Sequence, residues 1–572
     1  MRRAVAEEAS RVPSPQRMLV LSAFCLLCLS VAQAQTSGVP LDRPGERRLS
    51  LPEHDPGPAP EIDLPPPQLS PSEAHKPSRL RVRVTAFRFV GNTVFSEPDL
   101  AKIVAPYLGH EIDSEDLEAI RIALTRLYID RGYINSGAIV PDQNIVDGTI
   151  TLQLVEGYLS RIEVVGNARL SQSYIEDRIL LGAGPPLNLY AIRDRLFVLQ
   201  QDPRIRRIDA ALTPGLRPGE AALRIEVEEE SSRRLHLNVN NHRSPSVGAT
   251  IAELEFTDVN LIGIGDTLGV RYGLTRGLDN IDASYAVPLT ARDTSVLLRY
   301  TRSDAEVIEA PFDVLDVQSK SDSIGVGILH PYHKTPGAEH TVGVLLERRR
   351  SQTFLLDVPF AFEPGADPEG RSRVTALRLQ QSWLTHQPAR VVAARSTVSV
   401  GVDAFGASIN GGEPDARFAA WLGQFQWVER LLQRREEFVV RADVQLANDA
   451  LLSLEQFPVG GAFSVRGYRE AQLVRDNGAV ASLEYRWPLP WNPSGPHRLQ
   501  FAVFGDIGRS WNSDRPTPSP ETLSSVGAGL RGGYAEWLEY QLYIGKVLRD
   551  VQSPNGDLQD RGVHFQLRGR LW

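Results

Sequence analysis

At 572 residues the chain exceeds what one hydrophobic core organises, so about two to four domains are expected. Its net charge of −8 is modest, which argues against nucleic acid as a partner. After residue 34 no run of eighteen apolar residues occurs. That excludes helical membrane spans but not a β-barrel, whose alternating strands keep mean hydropathy low.

The first 34 residues read as a secretory signal. Arg2, Arg3, Arg11 and Arg17 supply a basic region, Met18 to Val31 an apolar one, and Ala32-Gln33-Ala34 a small-x-small cleavage site. Both cysteines, Cys25 and Cys28, fall inside it. The mature chain therefore has no disulfide, thiol nucleophile or thiolate metal site, which suits the bacterial envelope. Residues 35–79 are dense in proline, including Pro65-Pro66-Pro67, and predict an extended linker. Pro40, Pro44, Pro52 and Pro56 leave room for only a short helical turn at Arg43 to Leu51.

An internal repeat follows. Phe87-Arg88-Phe89-Val90-Gly91-Asn92 returns about seventy-five residues later as Ile162-Glu163-Val164-Val165-Gly166-Asn167. In each copy an alternating strand ends at Gly-Asn, a turn dipeptide that tolerates positive φ. Ser96 and Ser171 then offer N-caps. Apolar positions at helical spacing come next: Leu100, Ile103 and Val104 in the first copy, Ile175, Ile179 and Leu180 in the second. A second helix opens at Ser114 in one copy and at Asn188 in the other, and strands at Thr149–Val155 and Ala222–Val227 close the units. This duplicated β-α-α-β-β order resembles the polypeptide-transport-associated (POTRA) domain. Two such α+β domains are expected, at 80–157 and 158–230. The acidic run Glu226, Glu228, Glu229 and Glu230 reads as a solvated strand end, since no glycine-turned oxygen cage surrounds it for calcium.

From 231 to 572 helical periodicity gives way to alternating segments, as in membrane barrels. Sixteen strands are predicted: 235–241, 249–258, 266–273, 280–288, 294–303, 321–330, 340–350, 373–386, 390–402, 418–428, 436–447, 478–487, 498–507, 524–531, 538–547 and 563–571. Connector lengths agree with an antiparallel all-β transmembrane barrel entered from the periplasm. Leu289 to Asp293 and Gln387 to Ala389 fall on the periplasmic side and are short. Ala305–Lys320, Ser351–Ser372, Asp403–Arg417 and Asn448–Asn477 fall outside and are long. His330 and His333 read as a polar turn ending strand six rather than a metal pair.

The longest connector carries Val465-Arg466-Gly467-Tyr468, and strand thirteen carries Phe504-x-Asp506-x-Gly508. An arginine on a loop and an aspartate on a barrel wall belong at membrane depth only if they pair inside the lumen. The stretch Gly460 to Tyr468 resembles the lumenal loop motif of outer-membrane protein transporters and insertases. Phe504, Asp506 and Gly508 resemble its barrel-wall partner motif. Trp572 resembles the C-terminal aromatic read by barrel-assembly machinery, though it lies out of phase with Val563, Phe565, Leu567 and Leu571. No Gly-x-Ser-x-Gly elbow, His-Glu-x-x-His pair or phosphate loop appears, so no catalytic, metal or cofactor site is predicted.

Taken with the two repeated domains, the chain resembles the outer-membrane transporter of two-partner secretion systems, the haemolysin activation/secretion protein family that includes filamentous-haemagglutinin transporters. The resemblance implies POTRA domains in the periplasm and a barrel in outer-membrane lipid. It implies as partners a secreted exoprotein with an N-terminal secretion domain and, during biogenesis, the barrel-assembly machinery. A membrane-protein insertase and a passive porin remain the alternatives at this point.

Overall fold

The computed structural model describes residues 62–63, 81–410, 414–431, 436–489, 497–535, 537–551 and 556–572. The expected signal (1–34) and the linker with its helical turn (35–79) lie outside the described residues, apart from Ile62–Asp63.

Two α/β units precede a barrel. In the first, Thr149–Val155 is the central strand, parallel to Ala86–Val90 and antiparallel to Gly137–Ile139. Helices α1 (Glu97–Val104) and α2 (Ser114–Asp130) cover that sheet, burying Leu100, Ile120 and Leu124 against Ile150 and Leu152. In the second, Glu220–Glu229 is central between Tyr158–Val165 and Ile205–Pro214. Here α3 (Gln172–Leu180) and α4 (Leu189–Gln200) pack Ile175, Ile179 and Leu196 on Ile208 and Ile225. Ile62–Asp63 adds a parallel rung beside Ala210 and Ala211, so the outer edge of Ile205–Pro214 is covered there.

The capping chemistry is partly as predicted. Ser171 accepts the Tyr174 N–H at 3.3 Å. Ser96 occupies the same place, but its hydroxyl lies 2.6 Å from the Asp99 carboxylate and caps no backbone group. Pro98 in that first turn removes an N–H the hydroxyl would otherwise meet. The α2 cap is Asp113, one residue before the serine predicted to open the helix, and it forms a capping box with Asp116.

The Gly-Asn turns are built alike. Gly91 and Gly166 sit at φ 89° and 88°, where an added Cβ would strike Leu154 O or Val227 O. The Asn92 and Asn167 amides each donate at 3.0 Å to a carbonyl three residues on. A carboxylate from the closing strand then satisfies the turn. Glu156 accepts from the N–H groups of Thr93 and Val94, and Glu229 from those of Ala168, Arg169 and Leu170. Glu229 is thus a structural acceptor, which corrects its reading as part of a solvated strand end.

The barrel closes with sixteen spanning antiparallel strands, the expected fold class. They are β1 (Arg233–Asn240), β2 (Ile251–Asp258), β3 (Thr267–Leu274), β4 (Leu278–Pro288), β5 (Ser295–Glu306), β6 (Val317–Thr335), β7 (Ala338–Leu355) and β8 (Arg371–Gln387). Then come β9 (Arg390–Gly401), β10 (Ala419–Leu431), β11 (Glu436–Ala447), β12 (Asn477–Pro488), β13 (His497–Trp511), β14 (Thr522–Tyr534), β15 (Leu538–Val547) and β16 (Val563–Arg570). β16 returns to β1, pairing Gln566–Arg570 with His236–Asn240.

Alternation sorts the side chains. On β8, Leu377 and Leu379 face outward while Arg378 and Gln380 are buried; on β12, Leu483 faces outward while Ser482, Glu484 and Arg486 are buried. Strands β6 and β7 run well past their predicted ends. A membrane crossing needs only about ten residues, and beyond it Ser319-Lys320 on β6 and Ser351-Gln352-Thr353 on β7 are polar at successive positions, so the alternation that marks a strand vanishes. His330 and His333 consequently lie within β6 rather than in a turn, and His330 Nδ1 is 2.9 Å from Thr294 Oγ1.

The second α/β unit is seated on the barrel rim. Arg204 Nε donates to Val259 O at 2.6 Å, Arg169 Nη2 to Asn260 O at 3.0 Å and Gln201 Nε2 to Pro336 O at 2.8 Å. Arg178, stacked 3.4 Å over the Tyr174 ring, donates through Nε at 3.1 Å to Asp293 on the β4–β5 turn. Lys334 reaches the other Asp293 oxygen at 2.7 Å. Burial would push the Asp293 carboxyl up, but Lys334 and Arg178 outweigh it and hold it below the ordinary 3.8. This contact is therefore whole above the ordinary aspartate range and lost as pH falls through the lower seated value. Asp293→Asn should weaken the seat by about 1–3 kcal/mol. Spin-label distances from α3 to β5 should broaden in the variant at neutral pH, and in the parent only on acidification; sharp, unchanged distances in the variant would show that Asp293 is dispensable.

Candidate functional site

The connector between β11 and β12, residues 448–476, turns back into the barrel. It makes a 3-10 turn at Ser453–Glu455 and a short hairpin from Phe457–Val459 and Leu473–Arg475. Phe457, Val459, Val465 and Tyr468 form an apolar cluster with Val480 and Leu523 of the wall. That cluster fixes the tip, which presents Arg466 to β12 and β13.

Arg466 is 1% exposed and every nitrogen of its guanidinium is used. Nε and Nη2 donate to the two Asp506 oxygens at 2.8 Å each. Nη1 pairs with Glu484, and Nη2 also donates to Ser482 Oγ at 3.0 Å. The backbone N–H of Arg466 reaches Asp506 Oδ2 at 3.0 Å. The guanidinium carbon lies 3.6 Å from the Phe504 ring centroid and 4.9 Å from that of Tyr543, whose hydroxyl donates to Glu484 at 3.0 Å.

The remaining motif residues serve this grip. Gly467 has φ 95°, and its N–H donates to His564 Nε2 at 3.0 Å. A Cβ there would lie 3.1 Å from the Gly545 backbone of β15. The Tyr468 hydroxyl reaches Arg549 O at 2.7 Å. Gly508 leaves the space that Val459 and Val465 occupy. The structure thus gathers Val465, Arg466, Gly467, Tyr468, Phe504, Asp506 and Gly508 in one place. Gly91, Asn92, Gly166 and Asn167 lie apart, in the turns of the α/β units.

Sequence reasoning paired Arg466 with Asp506 alone and missed Ser482, Glu484, Tyr543 and His564. For Glu484 a signal was available: an acid between Leu483 and Tyr485 at membrane depth raises the question that Asp506 raised.

Comparison with known proteins is consistent with this architecture. Residues 219–532 match the family model described as haemolysin secretion/activation protein ShlB/FhaC/HecB, and residues 82–157 match the ShlB-type POTRA domain. The outer membrane transporter CdiB of Escherichia coli is 25% identical over 464 residues, covering 77% of this chain and 74% of that protein. The heme/hemopexin transporter protein HuxB of Haemophilus influenzae is 22% identical over 460 residues, 76% of this chain and 79% of the relative. The solved structure of CdiB from Escherichia coli superposes with a TM-score of 0.65 at 20% identity, covering 88% of this chain and 94% of that one.

Gly467→Ala should cost at least about 1 kcal/mol in backbone strain and lift the tip from the wall. Protease added to intact cells should then cut within 460–475 faster than in the parent. Equal resistance would show that the wall yields to a methyl group.

Proposed function

The chain belongs to the haemolysin secretion/activation protein family, and we propose that its lumenal loop is the gate through which an exoprotein leaves the cell. It is an outer-membrane β-barrel transporter of two-partner secretion, with POTRA domains in the periplasm. The observation that carries the gate reading is Arg466, held by two carboxylates inside a barrel that a diffusion pore would leave open.

Transport on this reading needs no nucleotide. The unfolded exoprotein is captured in the periplasm through its N-terminal secretion domain. Open sheet edges at Gly137–Ile139 and Tyr158–Val165 suit that task, because an added strand gains main-chain hydrogen bonds without a demanding side-chain code. The captured chain displaces the loop and threads the lumen, and folding outside makes the passage one-way. The barrel-assembly machinery inserts the transporter itself.

Residues 80–230 should fold alone and bind the cargo's N-terminal segment weakly, as suits a chain that orders on binding and must then be released. Calorimetry with that segment checks this; no heat and no pull-down would remove capture from these domains.

The geometry makes the two sides of the clamp unequal. Arg466→Ala strips the buried Asp506 carboxylate of its cation, at roughly 3–5 kcal/mol, while Glu484 keeps Arg486 at 2.6 Å. Asp506→Ala leaves Arg466 with Glu484 and costs less. Arg466→Ala should therefore abolish secretion with normal barrel levels in the outer membrane, Asp506→Ala should reduce it less, and Arg466→Lys should rescue partly, lacking the fork. Joining Asp506→Ala to Arg466→Ala should not deepen the defect. Cargo in the medium and transporter in the membrane fraction are measured together. Near-normal secretion by Arg466→Ala would reduce the loop to a passive feature.

A further inference from the structure

The same loop is gripped a second time, on another sector of the wall and with the charges reversed. Glu455, at the end of the 3-10 turn, is 7% exposed. Arg378 of β8 holds it with two hydrogen bonds, Nη2 to Oε1 at 2.8 Å and Nη1 to Oε2 at 3.0 Å. Arg378 is itself fixed from the wall: Nε donates to Glu347 of β7 at 2.9 Å and Nη1 to Ser399 Oγ of β9 at 2.7 Å. Arg349 of β7 completes the site, with Nε on Glu347 at 3.0 Å and Nη1 on Leu454 O at 3.0 Å, 3.4 Å from Glu455 Oε1. Beside it Leu451, Leu452 and Leu454 pack on Val374, Ala376 and Phe418.

The clamp at Arg466 draws on β12, β13, β15 and β16, whereas this site draws on β7, β8 and β9. The two share no residue. Freeing the tip therefore does nothing to the limb that descends from β11, which stays tied across the β7–β9 side.

We propose that Glu455 and Arg378 form a further latch beside the Arg466 clamp, and that the lumen clears only when this latch releases as well. Glu455 and Arg378 are positioning residues, and the inference rests on the gate reading above. It assigns the loop two modes: tip released, with the pore partly obstructed, and wholly displaced, with the pore wide enough for a polypeptide.

The test is the conductance of purified full-length transporter in planar bilayers with no cargo present. Glu455→Gln keeps the shape and gives up the charge; Glu455→Asp keeps the charge. In an Arg466→Ala background, Glu455→Gln should raise open probability at least about twofold and convert brief partial openings into steady large ones. Glu455→Asp should return the trace toward Arg466→Ala alone. If Gln and Asp both leave the Arg466→Ala trace unchanged, this latch is overturned. Heat-modifiable migration confirms that each barrel is folded. Should Glu455→Gln fail to assemble, Arg378→Lys, which loses the two-point hold, should likewise raise open probability in the Arg466→Ala background, and an unchanged trace would overturn the latch. Because cargo is absent, additive opening in a protein that secretes nothing would uphold the latch and sink the transport reading, and the reverse result would do the opposite.

Discussion

A guanidinium at membrane depth must have every donor satisfied, and the interior of this barrel is organised around that demand at Arg466. Where water is scarce, an unpaired charge is intolerable, so one loop arginine recruits Asp506, Glu484 and Ser482 from adjacent strands. Phe504 then follows as a surface for the flat cation, and Gly508 and Gly545 as positions where a side chain would hold the loop off the wall. The Phe-x-Asp-x-Gly spacing is thus one lumen-facing row read at every second residue of β13. It gives a ring beneath the cation, a carboxylate beside it and a gap for the loop's valines.

The periplasmic end obeys a related constraint. Turns at strand ends expose backbone groups that cannot all find partners locally. In each POTRA unit a glutamate from the closing strand answers the Gly-Asn turn, and in the second unit Arg169 carries that turn onward to Ser232 and Asn260 O at the barrel. The seat built by Arg169, Arg178 and Arg204 holds the second POTRA unit against the barrel rim, so the two form one connected body.

Much of this is legible in the sequence alone. The repeat, the strand alternation and the Arg466–Asp506 pair each have a local or periodic signature. What stayed hidden depends on register between strands. Glu156 and Glu229 look like ordinary strand-end acids until the sheet places them beneath turns some sixty residues earlier in the chain. The Arg378–Glu455 pair spans three strand connections, and nothing in either neighbourhood names the other. The extensions of β6 and β7 escaped for a different reason: outside the membrane the inside–outside contrast that reveals a strand disappears.

Ionic latches also suit a gate that must open without an energy source. Breaking a buried pair by deleting one partner is costly, on the order of 3–5 kcal/mol, because the survivor stays buried and alone. Opening the gate is a different event. When the loop swings out, water enters the lumen and re-solvates both partners, repaying much of the desolvation that closing imposed. An apolar plug of similar area would expose its surface to that water and forfeit about 25 cal/mol per Å² with no such return. The small apolar clusters around Val465 and Leu452 shape the closed state, while the charges let it be left. A cargo strand arriving in the lumen with its own polar backbone can therefore compete for the wall on nearly even terms, and folding beyond the membrane supplies the bias.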